Sequence, residues 1–369
     1  MIDTKEFYDY LLEKSLDFFV GVPDSLLKNL CACIKENSDS YHNIIAANEG
    51  NAVAMACGYH MSSNKYAVVY MQNSGLGNTV NPLLSLADED VYNIPMLLII
   101  GWRGEPGKKD EPQHVKQGKL TLPLLETMGI EYSVLDDNYK ETIDKYYEYM
   151  KNTNKPVAIV VKKDTFTDYN VKKADSPYLL TREEALEAII QELNVADFIV
   201  STTGKTSREI FELREKRNEG HANDFLTVGS MGHTASIAYG LSLNTNNNVF
   251  CIDGDGSFIM HMGGLAVIVQ TPRDNFKYIL INNGAHESVG GQPTVGFKIK
   301  TEEILKNFGF NKVYKATSKE EIKDAIINMK NNTMEALVIY TKQGSRKDLG
   351  RPTTTPIENK EALMQQILK

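Results

Sequence analysis

Cysteine is scarce: Cys31, Cys33, Cys57 and Cys251 are all that 369 residues contain. Cys31 and Cys33 are not in CxxC spacing, and no second pair exists, so this set suits neither a zinc site nor a disulfide framework. Reduced core thiols remain as the reading, and they fit a cytoplasmic protein. Basic charge is also short. Forty Lys and Arg stand against 48 Asp and Glu, a formal net charge of −8, which argues against a general nucleic-acid binder. Long apolar runs are missing: the longest, 95–101, is too short to span a membrane. The opening MIDTKEFYDYLLEKSLDFF carries acids throughout and reads as an amphipathic helix, not as a signal peptide. No short-period repeat occurs. The 42% hydrophobic and 24% charged fractions are those of a globular protein.

What is present is alternation. Short apolar runs fall at 18–22, 43–47, 66–71, 95–101, 131–135 and 156–161, with helical periodicity between them over 24–36, 49–61 and 139–151. Runs such as AVVYM and MLLII are apolar throughout, as parallel strands covered on both faces must be. The polar, aperiodic stretch 162–177 breaks the pattern. The pattern then restarts, with strands expected at 197–201, 224–228, 248–253, 276–282, 312–314 and 335–341. Helices are expected at 182–193, 206–217, 233–243, 257–270, 301–307 and 319–329. The expected fold is α/β, two doubly wound parallel-sheet domains: 1–165, a linker at 166–180, and 181–369. Ligands of such sheets sit beyond the carboxyl ends of the strands, so the strand-to-helix junctions are where chemistry is sought.

Two familiar phosphate motifs are incomplete. Gly204-Lys205-Thr206 ends like a phosphate loop, but position 199 is Ile199 where a glycine is required. Gly254 and Gly256 open a helix like a dinucleotide fingerprint, but the third glycine is replaced by Ile259. The acid inside this second turn, Asp255, would repel a bare diphosphate. It makes sense with a divalent cation between carboxylate and phosphate. One helix and one strand further on stand Asn282 and Asn283, so acid and amides lie at adjacent strand ends. Both are hard oxygen ligands suited to Mg²⁺, and the helix after Gly256 offers N–H groups and a positive dipole end to a diphosphate.

GDG, then the 25 residues Ser257–Ile281, then NN resembles the motif of the thiamine-diphosphate enzymes. The resemblance implies their fold, a pyrimidine-binding domain followed by a diphosphate-binding domain, and thiamine diphosphate with Mg²⁺ as cofactors. It implies Asp255, Asn283 and the backbone carbonyl of Ala285 as metal ligands, and Gly254, Gly256 and Ser257 as cofactor contacts. Ala46-Ala47-Asn48-Glu49-Gly50 resembles the catalytic glutamate motif of the same family. Such a carboxyl hydrogen-bonds the pyrimidine ring and helps its amino group generate the thiazolium ylide. Gly229-Ser230-Met231-Gly232 resembles the segment that bends the cofactor, with Met231 as an apolar wedge and the Gly229 carbonyl as an acceptor. Gly204 and Lys205 resemble a second diphosphate-contacting loop.

Relatives that decarboxylate 2-oxoacids mostly carry a middle domain, which this chain lacks. That resembles the compact phosphonopyruvate and sulfopyruvate decarboxylases, and the segment 101–119 resembles the former more. From the residues alone, 101–119 holds Arg103, Lys108, Lys109, Lys116 and Lys119 against Glu105, Asp110 and Glu111, a local excess of +2 in a chain of −8. A phosphonate, a small dianionic head on a 2-oxoacid, suits such a loop, and Arg presents a planar donor fork. Arg103 is the first candidate for substrate binding, then His114, then Lys109, with His286 facing the substrate after the Asn pair. Asp24, in Val22-Pro23-Asp24-Ser25, resembles the aspartate that helps protonate the enamine. His114 sits in Gln113-His114, where relatives often carry two histidines. The tail 343–356 reads as a lid.

The implied reaction is decarboxylation of 3-phosphonopyruvate to phosphonoacetaldehyde and CO₂. The runner-up is a sulfopyruvate or other thiamine-dependent 2-oxoacid decarboxylase, and more remote readings are a non-catalytic cofactor-binding subunit or a nicotinamide oxidoreductase. The resemblance also implies a homodimer or dimer of dimers with each active site at a subunit interface.

Overall fold

The structure, a computed structural model, describes residues 1–170, 176–331 and 333–368. The chain divides into two units, Met1–Lys173 and Ala174–Lys369. The first holds β1 (Phe18–Gly21), β2 (Asn43–Ile45), β3 (Ala67–Gln72), β4 (Met96–Gly101), β5 (Glu131–Val134) and β6 (Val157–Val161). Their order is β2-β1-β3-β4-β6-β5, and every pairing is parallel. The continuous apolar runs have a physical cause here. In β3, Val68 and Tyr70 enter one core while Ala67, Val69 and Met71 enter the other, so both faces need cover.

The second unit holds β7 (Phe198–Ser201), β8 (Asp224–Leu226), β9 (Val249–Gly254) and β10 (Phe276–Asn282). A small hairpin, β11 (Ala285–His286) with β12 (Gln292–Pro293), comes before β13 (Val313–Ala316) and β14 (Glu335–Tyr340). The main sheet runs β13-β14-β10-β9-β7-β8, again parallel. Leaving the hairpin aside and counting strands from the start of each unit, both sheets have the order 2-1-3-4-6-5. The two units therefore share one topology without sharing a visible sequence repeat. In each, the order reverses between the first and third strands, and the crevice there is where an open α/β sheet takes its ligand.

Local chemistry sets the helix ends that matter. The helix Glu49–Ser63 opens on Asn48, whose side chain accepts from the Asn51 N–H. The helix expected over 24–36 begins at Lys28, because Asp24 turns back to accept from the Leu26 N–H (2.9 Å). The helix expected over 257–270 breaks at 261–262 into Asp255–Met260 and Gly263–Ile268, where Gly263 and Gly264 weaken helix propensity. Besides the short helix Leu76–Pro82, two longer helices went unanticipated, Pro112–Thr127 and Pro356–Ile367. Each starts with Pro at its first position, and internal Gly118 and Pro123 obscure the period of the former. Of the expected linker 166–180, residues 171–175 lie outside the described residues. Before them, Ile2 bridges Phe166 and the Thr4 hydroxyl donates to the Thr167 carbonyl (2.6 Å), within the first unit; after them, Leu180 joins a core of the second.

Candidate active site

In the first unit, Glu49, Asp24 and Arg103 stand at the carboxyl ends of β2, β1 and β4, and β3, which lies between β1 and β4, adds side chains that were not singled out in the sequence. Glu49 is only 5% exposed and begins the helix after β2. Asn78 Nδ2 donates to its Oε2 (2.7 Å). The carboxyl packs so closely on Gly75 that a Cβ there would stand 2.4 Å from Oε1. Asp24, after β1, is fully buried and lies against Gly101, where a Cβ would be 2.0 Å from its Oδ2. Burial pushes the Asp24 carboxyl up, while the Leu26 N–H and the Arg103 charge pull it down; the net direction is up. Both acids thus owe their places to a glycine at a strand end.

Arg103, after β4, is tied before any ligand arrives. Its Nε and Nη2 donate to Asp110 (Nε–Oδ2 2.8 Å) and its Nη1 donates to Ser25 Oγ (2.8 Å). Asn73, after β3, accepts from the Arg103 N–H (3.1 Å) and donates to the Arg103 carbonyl (2.8 Å). His114 is buried, with Nδ1 lacking a hydrogen-bond partner. Burial and then the Arg103 charge push its pKa down to about 4, so the ring is neutral near pH 7. Lys109 is exposed, and no contact ties it to this cluster. Ser25, Asn73, Asn78 and Asp110 were not anticipated. Asn73 and Asn78 had a signal, since QNSGLGN follows an apolar run at a strand-to-helix junction; Asp110 was counted only as an opposing charge.

In the second unit the metal candidates meet. Asp255 (3% exposed) and Asn283 (5% exposed) follow the adjacent strands β9 and β10, and Asp255 accepts from the Asn283 backbone N–H. Burial raises the Asp255 carboxyl to about 6, against which the Thr294 hydroxyl and neighbouring N–H groups pull down. None of these partners is charged, so the cost of burying the carboxylate is offset by neutral hydrogen-bond donors alone. Asn283 Oδ1 accepts from the Ala285 N–H (3.0 Å), which keeps the Ala285 backbone within the same loop. Thr294, delivered by the β11–β12 hairpin, had no sequence signal.

The remaining candidates surround this pair. Gly256 is approached by Met231 and His286 together: a Cβ on it would lie 3.1 Å from Met231 Cε and 2.9 Å from His286 Nδ1. Burial pushes His286 down to about 4. The Gly232 N–H donates to Ser257 Oγ (3.1 Å), and the Gly229 N–H donates to Thr203 Oγ1 (2.9 Å), which ties the Met231 loop to the turns after β9 and β7. Gly204 has φ +98° and opens the helix Lys205–Arg217. Lys205 Nζ reaches Glu287 Oε1 (3.1 Å), so its charge is shared within the loop. The tail expected as a lid is strapped down: Arg346 pairs with Glu183 and Glu212, and Arg208 donates to the carbonyls of Leu349 and Gly350.

Family models match segments of both units. The family "Thiamine pyrophosphate enzyme, N-terminal TPP binding domain" matches residues 4–122, and "Thiamine pyrophosphate enzyme, C-terminal TPP binding domain" matches residues 202–340. A phosphonopyruvate decarboxylase of Streptomyces viridochromogenes is 32% identical over 359 residues, 92% of this chain and 88% of that protein. Another, of Streptomyces hygroscopicus, is 30% identical over 379 residues, 97% and 92% of the two chains. A sulfopyruvate decarboxylase of Methanosarcina acetivorans is 25% identical over 347 residues, 87% and 86%. With both cofactor-domain families matched in order and full-length relatives at this level of identity, the chain belongs to the thiamine pyrophosphate enzymes, in the family of the phosphonopyruvate decarboxylases.

Proposed function

We propose that this chain decarboxylates 3-phosphonopyruvate to phosphonoacetaldehyde and CO₂, using thiamine diphosphate and Mg²⁺. The observation that carries the reading is the Asp255–Asn283 pair, a buried acid without a charged partner beside a buried amide, in a chain that matches phosphonopyruvate decarboxylases over nearly its whole length. The donor set fits the group: a carboxylate, an amide oxygen and the Ala285 carbonyl are hard oxygen ligands, as Mg²⁺ requires. Gly204, Lys205, Gly229, Met231, Gly254, Gly256 and Ser257 hold the diphosphate and the fold of the cofactor. When bound, thiamine diphosphate supplies the nucleophilic carbon and the electron sink.

The protein's own groups do the rest. Glu49 holds and exchanges a proton at Oε1, while Asn78 fixes Oε2. Asp24, its carboxyl raised by burial, delivers a proton to the product carbon, and neutral His114 assists as donor or acceptor. Arg103, Lys109 and His286 meet the phosphonate end. Arg103 does so with the donor capacity that Asp110 and Ser25 leave, so the free cation of the set is Lys109. Assembly into at least a homodimer, or a dimer of dimers, brings the first unit of one copy to the second unit of another. Support comes from the exposed Met55 and Met61 on the Glu49 helix, with Leu84, Tyr92 and Leu120 also exposed in the first unit. Residence in the cytoplasm is consistent with four buried free thiols.

The deciding assay measures CO₂ release from phosphonopyruvate, sulfopyruvate and pyruvate, each with and without thiamine diphosphate and Mg²⁺. Turnover is expected with phosphonopyruvate only when both are present. Equal turnover of sulfopyruvate would overturn the substrate assignment, and cofactor-independent turnover would overturn the mechanism.

A further inference from the structure

A charge network centred on Glu287, to which the mechanism assigns no role, adjoins the metal candidate Asn283. Glu287 stands at the tip of the β11–β12 hairpin. Its Oε2 accepts from Asn283 Nδ2 (2.9 Å) and from Arg182 Nη1 (2.7 Å), and its Oε1 accepts from Lys205 Nζ (3.1 Å). Arg182 is itself held by a bidentate pair with Glu209, both bonds 2.7 Å. The Arg182 and Glu209 side chains are 6% and 1% exposed. Two cations and two carboxylates balance, but desolvation offsets much of the Coulomb gain of such buried pairs, so net stability is a weak reason for them. One geometry is what they supply.

That geometry bears on Asn283. An asparagine amide has two ends of similar size and opposite hydrogen-bonding sense, and only the oxygen binds a cation. A carboxylate accepting from the NH₂ end forbids the turned-over amide. We propose that Glu287 is a positioning residue, clamped by Arg182 and Lys205, which holds the Asn283 amide with its oxygen toward the divalent cation. Arg182 and Glu209 act one step further out, by denying Glu287 another rotamer. Because Lys205 also begins the helix after Gly204, the same carboxylate joins the diphosphate loop to the metal loop. The inference rests on the reading of Asn283 as a cation ligand.

The test titrates the full-length protein with Mn²⁺ at saturating thiamine diphosphate, reading bound metal by electron paramagnetic resonance and turnover in parallel. In Glu287→Gln the half-saturating Mn²⁺ concentration is expected to rise roughly 10- to 100-fold, as for removal of a group that orients a metal ligand. Turnover at saturating metal and saturating thiamine diphosphate is expected to stay within about twofold; the cofactor is kept saturating because Lys205 loses its carboxylate partner in the same variant. Glu287→Asp is expected to recover part of the affinity. Unchanged half-saturation overturns the inference, and so does a loss of turnover that excess metal does not restore. Should Glu287→Gln fail to fold, the exchanged pair Asn283→Asp/Glu287→Gln keeps one acid and one amide; binding within about tenfold of wild type supports the inference, and weaker binding overturns it. Absence of Mn²⁺ binding by the wild type would instead sink the cofactor reading, whereas equal binding by wild type and Glu287→Gln would sink this inference alone.

Discussion

The carboxyl of Asp255 is buried, and among the described residues the groups that act on it most strongly include no cation. Its folded pKa of about 6 lies above the ordinary 3.8, so without a cation the group favours the folded state at low pH. That contribution is fully present below the unfolded value and is lost as pH rises through about 6. Cation binding has the opposite sense, because the ion must displace the proton. At fixed thiamine diphosphate the half-saturating Mg²⁺ concentration is therefore expected to be flat above pH 6 and to rise about tenfold per unit below it. A flat profile down to pH 5 would remove Asp255 from the ligand set. Glu49 is a second residue-scale case. Glu49→Gln keeps the shape and the Asn78 contact region but cannot exchange the proton, so turnover is expected to fall roughly 10²- to 10⁴-fold with calorimetric cofactor affinity little changed. Gly75→Ala tests the same carboxyl from its other side. The added methyl must displace Glu49, and a loss of about 1–3 kcal/mol in stability is expected by denaturant titration, together with a fall in turnover of roughly 10²-fold.

At the scale of elements, the informative features are those that reach back across a sheet edge. The β11–β12 hairpin carries Thr294 to Asp255 and Glu287 to Asn283, so one short element addresses both metal candidates. The segment after β14 does something different. It is held to the helices Arg182–Glu192 and Lys205–Arg217 by Arg346 and Arg208, and Gly350 donates to Glu212. Arg346 is 34% exposed, and ion pairs at that exposure contribute little. Arg346→Met is expected to change global stability by no more than about 1 kcal/mol while speeding amide exchange in 343–351, as seen by mass spectrometry. Unaltered exchange there would show that the strap depends on other contacts.

For the whole molecule, two units of one topology place their switch points at equivalent strand ends, with acids in both. On the proposed function, thiamine diphosphate with Mg²⁺ binds only folded protein, so together at about 100 times their dissociation constant they are expected to add about 2.7 kcal/mol and raise the melting temperature, an effect that EDTA reverses. Sedimentation of the 41.3 kDa chain is expected to give at least twice that mass. All the main strands, both parallel sheets and the GDG…NN pair were legible in the sequence, because burial on both faces forces continuous apolar runs and because strand–helix junctions are marked by Gly, Asp and Asn. The partners were not. Nothing local links Thr294 to Asp255, Glu287 to Arg182, or Asp110 to Arg103 as its satisfied counter-ion. Nor does local pattern reveal a helix over 112–127 that carries both Gly118 and Pro123. The order of residues along the chain determined which elements form and which chemical groups stand at their ends. Tertiary structure alone decided which of those groups are paired with an opposite charge, as Arg103 is with Asp110, and which are buried among uncharged partners, as Asp255 is, since burial and charge pairing depend on neighbours that are distant in the chain.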